Sequence, residues 1–188
     1  DCCRDRSGIR VIHAENHGQY AALNLGLSEA GGEYLMFVDS DDYLREGMLR
    51  NLLRLVRKEK AAIACCNYIN FSDYSSSRAK PLEEGVYTDF EKMVRIPGFY
   101  WGKLYHHSLF SKVNFPEYRC YGDTITHWVL FRQCSRIAVS NDYGYAYREN
   151  RVGVSYRLSR SSKAFNTLWV VEDLMKLRQR IGLPLLRE

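Results

Sequence analysis

The stretch that decides the fold reads Glu33-Tyr-Leu-Met-Phe-Val38 and runs directly into Asp39-Ser-Asp-Asp42. A near-continuous apolar run of this length predicts a strand that is buried on both faces, as parallel strands usually are. Gly31 and Gly32 come just before it, and glycine is typical of the residue after a helix ends. The aspartates would then follow the carboxyl end of a buried strand, where open α/β sheets bind their ligands.

Helical and strand patterns alternate on both sides of this stretch. Residues 9–13 are rich in β-branched side chains and predict a strand, and the Ala-rich residues 19–30 predict a helix packed inside the domain. An Arg-rich amphipathic helix around residues 45–58 follows the aspartates, and residues 61–67 predict another buried strand. The alternation predicts an α/β fold with a mainly parallel sheet flanked by helices.

The pattern loosens in the second half of the chain. The predicted elements are a surface loop at 72–85, a helix at 123–134, strands at 136–140 and 143–148, and an amphipathic helix at 161–181. In the last of these, Ala164, Leu168, Val171 and Met175 are spaced by four, three and four residues, which predicts one packed face. With 188 residues the chain is long enough for one domain and short for two, so we expect a single domain over 1–188.

Composition excludes several classes of protein. Hydrophobic residues make up 46% and charged residues 26%, which is typical of a globular chain and not of a disordered one. The net charge of +5 suits an anionic ligand such as a nucleotide diphosphate, or a membrane surface. Its positive residues form a solvated helix face more than a binding patch, so no nucleic-acid partner is expected.

Cysteine usage and apolar runs indicate where the protein works. The six cysteines form no CxxC motif, which argues against zinc-ribbon and thioredoxin-like chemistry. Cys65-Cys66 ends an apolar run and is predicted to be a pair of buried free thiols, which favours a reducing, cytoplasmic location. No apolar run in the sequence approaches the roughly 20 residues of a membrane-spanning helix.

The acidic cluster predicts a metal site. Neighbouring carboxylates repel each other unless a cation, solvent or a helix N-terminus neutralises them. Mg²⁺ or Mn²⁺ takes one or two carboxylates and completes its shell with phosphate oxygens of a substrate. We therefore predict Asp41 as a metal ligand, with Asp39 binding the metal or a ribose. The alternative is that Asp41 or Asp42 only caps the helix that follows.

The first half of the chain resembles the family 2 glycosyltransferases. The matching residues are Asn16, Gly18, Ala22, Asn24, Gly26, Gly32, Glu33, Tyr34, Asp39 and Asp41. The resemblance implies a GT-A fold and a metal-assisted, inverting transfer from a nucleotide-diphospho-sugar, with uracil as the base. It assigns donor binding to Asn24, Asp39, Ser40 and Asp41, within a donor and metal part at 1–70. The family begins with a strand and a nucleotide-binding turn that have no counterpart here, so part of the base-binding wall is expected to be missing.

A second set of motifs resembles the acceptor half of bacterial members of the family. It comprises Trp101-Gly-Lys-Leu-Tyr, Phe115-Pro-Glu, Gly122-Asp-Thr and Tyr145-Ala-Tyr-Arg148, with Ser155 further on. The resemblance implies that Asp123 is the catalytic base, in an acceptor-side part at 86–155 to which Trp101, Lys103 and Arg148 contribute. The family usually carries Glu-Asp where this chain has Gly122 and Asp123. The alternative for Asp123 is a plain cap of the helix at 123–134.

The family resemblance also implies partners and a location. The donor would be a nucleotide-sugar and the acceptor a saccharide or a lipid-linked saccharide, with peripheral membrane association at the inner face of the membrane. Two rival hypotheses stay open from the sequence. One is a sugar-phosphate nucleotidyltransferase, and the other is a binding domain without catalytic activity.

Overall fold

The computed structural model describes residues 8–117, 121–150 and 166–183, which form a mixed sheet flanked by helices. The helices and strands in chain order are α1 (Gln19–Glu29), β1 (Tyr34–Leu35), β2 (Tyr43–Leu44), α2 (Met48–Glu59), β3 (Ile63–Phe71), β4 (Ser76–Arg78), β5 (Gly85–Tyr87), α3 (Phe90–Met93), β6 (Lys103–His106), β7 (Ile137–Arg148) and α4 (Asn166–Arg180). The predicted α/β class is confirmed, and β4 interrupts the surface loop that was expected at 72–85.

Strand direction differs from the prediction of a mainly parallel sheet. The order is β1-β6-β3-β7-β2, with β4 beside β3 and β5 beside β7. Only β3 and β7 pair in parallel among these strands, together with an isolated parallel bridge between Phe37 and Trp101. Every other pairing is antiparallel. The sequence could not reveal this, because a strand covered on both faces is equally apolar whichever way its neighbours run.

The run at 33–38 lies at one edge of the described sheet, not at its centre. Only Tyr34–Leu35 forms a ladder, which is antiparallel to β6. Leu35 and Phe37 are each 8% exposed, whereas Val38 is 43% exposed, so the segment buries one face. Residues 9–13, predicted as a strand, form none, because no described strand pairs with them, and Ile9, Val11 and Ile12 are exposed.

The two long helices near the N-terminus differ in burial. The helix predicted at 19–30 is confirmed as α1, which ends one residue earlier, but Leu27 is the one residue of this helix that is buried, so the prediction of an interior helix is wrong. The reason is that α1 covers one side of the fold and leaves Ala22 and Gly26 exposed. In contrast, α2 buries Met48, Leu52 and Val56 against the sheet and exposes its basic residues.

The core centres on the parallel pair β3 and β7. Ile63 and Ala64 lie opposite Ile137 and Ala138, and all four are fully buried. Cys65 and Cys66 are buried free thiols, as predicted, and burial raises the pKa of Cys66 to about 11. The two strands predicted at 136–140 and 143–148 are one continuous strand, because β7 absorbs a register shift opposite Cys65–Asn67 without leaving the ladder.

The remaining helical segments are irregular or rotated relative to the prediction. The helix expected at 123–134 is present as a 3₁₀ turn (Gly122–Thr124), a π-helical segment (Thr126–Leu130) and a second 3₁₀ turn (Phe131–Gln133).

Helix α4 confirms the last predicted helix from Asn166 onwards, while 161–165, including Ala164, lie outside the described residues. Its buried face carries Val170 and Leu174, because the side of the helix that faces the π-helical segment is turned about one residue from the predicted stripe. Leu168, Val171 and Met175, which were expected on the packed face, are at least half exposed. Within the part of the chain that the structure describes, no helix is both long and apolar enough to cross a membrane.

Candidate active site

A cleft of about 590 Å³ brings most of the predicted site residues together. Those that line it are Asp39, Ser40, Asp41, Trp101, Asp123 and Arg148. They come from the loop after β1, the segment before β6, the 3₁₀ turn at 122–124 and the end of β7. Carboxylates more than 80 positions apart in the sequence therefore share one cavity.

Asp39 is held by two side chains from different elements. Its Oδ1 accepts a short hydrogen bond from the Tyr100 hydroxyl and another, at 3.2 Å, from Nε2 of Gln19 on α1. Burial raises the pKa of Asp39, and the carboxylates of Asp41 and Asp123 add to this increase. Burial and the neighbouring Asp39 also raise the pKa of Tyr100 far above its ordinary value, so its hydroxyl stays protonated and donates to Asp39.

Asp42 ties the acidic loop to β7. The Asp39 backbone N–H donates to the Tyr145 hydroxyl at 3.2 Å, and that hydroxyl donates to Oδ2 of Asp42 at 2.7 Å. The Arg148 backbone N–H donates to Oδ1 of the same carboxylate at 2.8 Å. The interpretation of Asp42 as a helix cap is wrong, because the residue before α2 is Gly47 and Asp42 points towards β7 instead.

Asp41 lies at the exposed side of the cleft. Its Oδ2 accepts from Nδ2 of Asn150 at 3.4 Å, and its carbonyl oxygen accepts from Nε of Arg148 at 3.1 Å. Arg148 also pairs with Asp73 at 3.0 Å and holds its guanidinium 4.6 Å from the ring centre of Phe71. The structure therefore places Arg148 beside the acidic loop, whereas the sequence had assigned it to the acceptor side.

Asp123 occupies a partly buried position in a tightly packed turn. It lies inside a 3₁₀ turn whose N-cap is Tyr121, so it is not the cap that the alternative interpretation required. Its backbone N–H donates to the Tyr20 hydroxyl at 3.3 Å. Burial raises the pKa of Asp123, and the nearby charges of Lys103 and His127 partly oppose that rise.

Gly122 explains how the turn approaches α1. It is buried, and a Cβ at this position would lie 2.8 Å from ring atoms of Tyr20. The aromatic ring thus occupies the space that a side chain would need. Gly122 stands where the family usually carries an acidic residue, and its lack of a side chain lets the turn pack tightly against α1.

Two predicted site residues do not line the cleft. The Asn24 side chain donates to the Phe115 carbonyl at 2.9 Å and accepts from the Phe115 N–H at 2.8 Å, so it anchors a loop to α1. Lys103 is 3% exposed, and its Nζ donates to the Phe99 carbonyl at 2.6 Å. Their positions do not support the assignment of Asn24 to donor binding or of Lys103 to the acceptor side.

Sequence reasoning missed several residues that shape the cleft. These are Gln19, Tyr20, Tyr68, Asn70, Phe99, Tyr100, Tyr145 and Tyr147. The alternation Tyr143-Gly-Tyr-Ala-Tyr147 was a usable signal, because alternate residues of a strand point to the same face. Nothing comparable indicated Gln19 or Tyr100, whose partner Asp39 is distant in sequence.

The acidic loop fits a metal that is shared with a substrate. Within the described ranges, no three His, Cys, Asp or Glu side chains form a group that could hold a metal by themselves. Mg²⁺ and Mn²⁺ in phosphate-transfer sites need only one or two carboxylates, because phosphate oxygens and water complete the shell. Asp39 and Asp41 supply two such carboxylates to one cleft.

Comparison with known proteins identifies the class. The family model described as "Glycosyl transferase family 2" matches residues 1–122, so the chain belongs to this family. The chain is 31% identical over 159 residues to the glycosyltransferase GlyG of Streptococcus pneumoniae serotype 4, covering 74% of this chain and 52% of the relative. It is 27% identical over 188 residues to the cholesterol galactosyltransferase of Borreliella burgdorferi, covering 90% of this chain and 52% of the relative. The chain therefore spans about half the length of these relatives.

Solved structures show the same fold. The structure of Staphylococcus aureus TarS 1–349 in complex with UDP-GlcNAc superposes with a TM-score of 0.64 at 19% identity, covering 74% of this chain and 41% of that one. The match places the mixed sheet and its flanking helices in the GT-A class. The predicted family and fold class are thereby confirmed.

Proposed function

We propose that the protein transfers a sugar from a nucleotide-diphospho-sugar, with UDP as the nucleotide, to a saccharide or lipid-linked saccharide. The main observation behind the proposal is that Asp39, Asp41 and Asp123 line the same cleft. Family membership supports glycosyl transfer, and the UDP-GlcNAc bound by TarS supports a UDP-linked donor. The chain spans about half the length of its relatives, and the activity of the whole protein is part of this proposal.

The cleft has a carboxylate, Asp123, in addition to those of the acidic loop, and this arrangement supports inversion in a single displacement. The acceptor hydroxyl is a poor nucleophile until a base removes its proton, and Asp123 is the carboxylate remote from the acidic loop. Its raised pKa makes it a better base than an exposed aspartate. It would take the proton from the acceptor oxygen while that oxygen attacks the anomeric carbon opposite the departing diphosphate.

The acidic loop would hold the leaving group. Asp41 and Asp39 would bind Mn²⁺ or Mg²⁺, which supplies charge stabilisation to the diphosphate when bound. Arg148, whose Nε contacts the Asp41 carbonyl, adds a positive group next to the same loop. Tyr100 and Gln19 orient the Asp39 carboxylate, and Asp42 with Tyr145 fixes the loop to β7.

One experiment tests the proposal as a whole. The protein is incubated with Mn²⁺ and a panel of nucleotide-sugars, and donor binding is read from thermal shifts. Saccharide acceptors are then added, and the anomeric configuration of any transfer product is read by NMR. We expect a shift with UDP-sugars that chelator removes, and a product whose anomeric configuration is opposite to that of the donor. A product with retained configuration, or binding indifferent to chelator, would overturn the corresponding part of the proposal.

A second assay, with a nucleoside triphosphate and a sugar phosphate as substrates, separates the rival functions. A sugar-phosphate nucleotidyltransferase would release pyrophosphate from a nucleoside triphosphate and a sugar phosphate. A domain without catalytic activity would bind the donor but neither transfer nor hydrolyse it. The reported relatives are glycosyltransferases by name, which favours transfer over both rivals.

A further inference from the structure

Aromatic side chains form one wall of the cleft. Phe99, Tyr68 and Tyr147 line it together with Trp101, and we call the first three the aromatic wall. Trp101 stacks on Phe99, with ring centroids 4.4 Å apart and planes 7° from parallel, and on Tyr147 at 5.2 Å and 14°. Tyr68 meets the rings of Phe99 and Trp101 edge-on, at 6.0 and 5.1 Å. The rings therefore support one another as a rigid surface.

Trp101 supports this surface but does not present it. It is 6% exposed, and its ring also stacks on Tyr145 at 4.7 Å, so neighbouring rings cover its faces. Phe99, Tyr68 and Tyr147 are only partly buried and keep some ring surface towards the cavity. A ligand in the cleft would touch these outer rings.

Polar groups border the aromatic wall. Asn70 lines the cleft and lies opposite Tyr147 in the β3–β7 register. Its amide offers both a donor and an acceptor, and the phenols of Tyr68 and Tyr147 add hydroxyl groups. Burial raises the pKa of Tyr68, so its phenol remains a donor at neutral pH. Flat apolar faces edged by neutral polar groups suit a ring with C–H faces and hydroxyl groups more than a charged ligand.

The Phe99 end of the wall lies on the Asp123 side of the cleft. Gly98 packs so closely on His127 that a Cβ at Gly98 would lie 2.8 Å from the imidazole ring. His127 follows Asp123 by about one helical turn, and the two side chains influence each other electrostatically. At the other end, Arg148 and Asn150 contact Asp41 in the acidic loop.

We propose that the aromatic wall, with Asn70, is the subsite for a neutral pyranose ring of the acceptor. This inference rests on the proposed function, since it places the ring beside Asp123, which would receive the acceptor proton. It assigns the sugar ring of that acceptor to named residues of the cleft, namely Phe99, Tyr68, Tyr147 and Asn70. A bare lipid or a protein side chain would leave the wall and its polar border without a partner.

The test measures sugar binding separately from donor binding. Full-length protein is saturated with UDP and Mn²⁺ and titrated calorimetrically with cellobiose, maltose, lactose and diacetylchitobiose. At least one disaccharide should bind. Phe99→Leu keeps apolar bulk but removes the flat ring, so we expect its disaccharide Kd to rise about tenfold while its UDP Kd changes less than about twofold. Trp128→Leu is the matched control, because Trp128 is a 42% exposed aromatic side chain that does not line the cleft.

Each other outcome has a definite meaning. If no disaccharide binds the wild-type protein, or if Phe99→Leu binds them normally, the subsite is wrong. If Phe99→Leu weakens the binding of UDP instead, the aromatic wall contacts the nucleoside and the inference is overturned. Tyr68→Phe provides a second readout, because it keeps the ring and removes only the hydroxyl. It should therefore raise the disaccharide Kd less than Phe99→Leu does. If disaccharides bind as expected but no donor is cleaved, the proposed transfer fails while the sugar subsite stands.

Discussion

The acidic loop at 39–42 and the turn at 122–124 bring carboxylates to the same cleft, but the protein holds them in different ways. Asp39 and Asp42 are fixed by hydrogen bonds from side chains and backbone of α1, β7 and the segment before β6. Asp123 lies in a turn that packs closely on the Tyr20 ring at Gly122, and its N–H donates to the Tyr20 hydroxyl. The position of the loop therefore depends on specific polar partners, whereas the position of the turn depends mainly on the close packing of Tyr20 on Gly122.

The largest expected effect concerns the partly buried carboxylate of Asp123. Asp123→Asn preserves size but removes the base, so kcat should fall by about 10² to 10⁴ with the Kd for UDP unchanged. The folded-state pKa of Asp123 is raised, so its contribution to stability is present below the unfolded pKa and is lost as pH rises through the folded pKa. At pH 7 the variant should therefore melt no lower than wild type. Normal turnover in stopped assays would remove Asp123 as the base.

Substitutions of two neighbouring aspartates should affect different properties, ligand binding for Asp41 and stability for Asp42. Asp41 is exposed in the cleft, so Asp41→Ala should weaken Mn²⁺-dependent UDP binding at least about tenfold, with little change in melting temperature. Calorimetry with and without Mn²⁺ measures this loss. An unchanged UDP affinity in the presence of Mn²⁺ would contradict the metal assignment.

Asp42 should behave in the opposite way. Asp42→Ala removes the acceptor of the Tyr145 hydroxyl and of the Arg148 N–H, so the free energy of unfolding should fall by about 1–3 kcal/mol. Urea denaturation followed by circular dichroism measures the change. Tyr145→Phe is the companion variant, since it removes the bond to Asp42 together with the bond from the Asp39 N–H, and it should lower the free energy of unfolding by a similar amount. Full stability in Asp42→Ala would mean that the loop does not depend on these partners.

The packing of the turn can be tested at Gly122. Gly122→Ala places a methyl group against the Tyr20 ring and should destabilise the protein by about 1–3 kcal/mol. Combining it with Tyr20→Leu should recover part of that loss, because the smaller side chain vacates the space. A double-mutant cycle in chemical denaturation measures the coupling. Strict additivity would show that the two residues do not press on each other.

The smallest expected effect is a shift of the pH profile by Lys103. Activity needs ionised Asp123, so kcat/KM should fall as pH drops through the raised pKa of that carboxyl. The buried Lys103 charge lowers this pKa, so Lys103→Met should move the acid limb to higher pH, by less than about one unit. Lys112→Met, at an exposed position, is the control. An acid limb that stays in place would exclude electrostatic coupling between Lys103 and Asp123.

Several structural features could be predicted because they depend on local sequence. The helices α1 and α2, the buried strand β3 and the position of the acidic loop follow from periodicity, glycine and apolar runs. Family motifs located Asp39, Asp41 and Asp123, which the cleft brings together. The strand at 33–38 was predicted to be buried on both faces but lies at the edge of the sheet, because apolar content does not identify the neighbours of a strand.

The environment of each site residue could not be predicted from the sequence. Asn24 and Lys103 stand in family motifs, yet their side chains bond backbone atoms away from the cleft. Trp101 was assigned to the acceptor side by its motif, but neighbouring rings cover its faces, so it supports the cleft wall from behind. A motif specifies residue type and order, while the direction of a side chain depends on what packs around it.

The sequence by itself determined the family, the α/β class and the three carboxylates that define the proposed chemistry, because these reside in short patterns of residue type and spacing. Only the tertiary structure decided which aspartate faces the cleft, which one ties the loop to β7, and which aromatic rings remain open to a ligand. The physical reason is that hydrogen bonds and ring contacts join residues up to about a hundred positions apart, such as Asp42 and Tyr145, whose separation is 103. No local pattern carries that information, because the folded chain creates the neighbourhood.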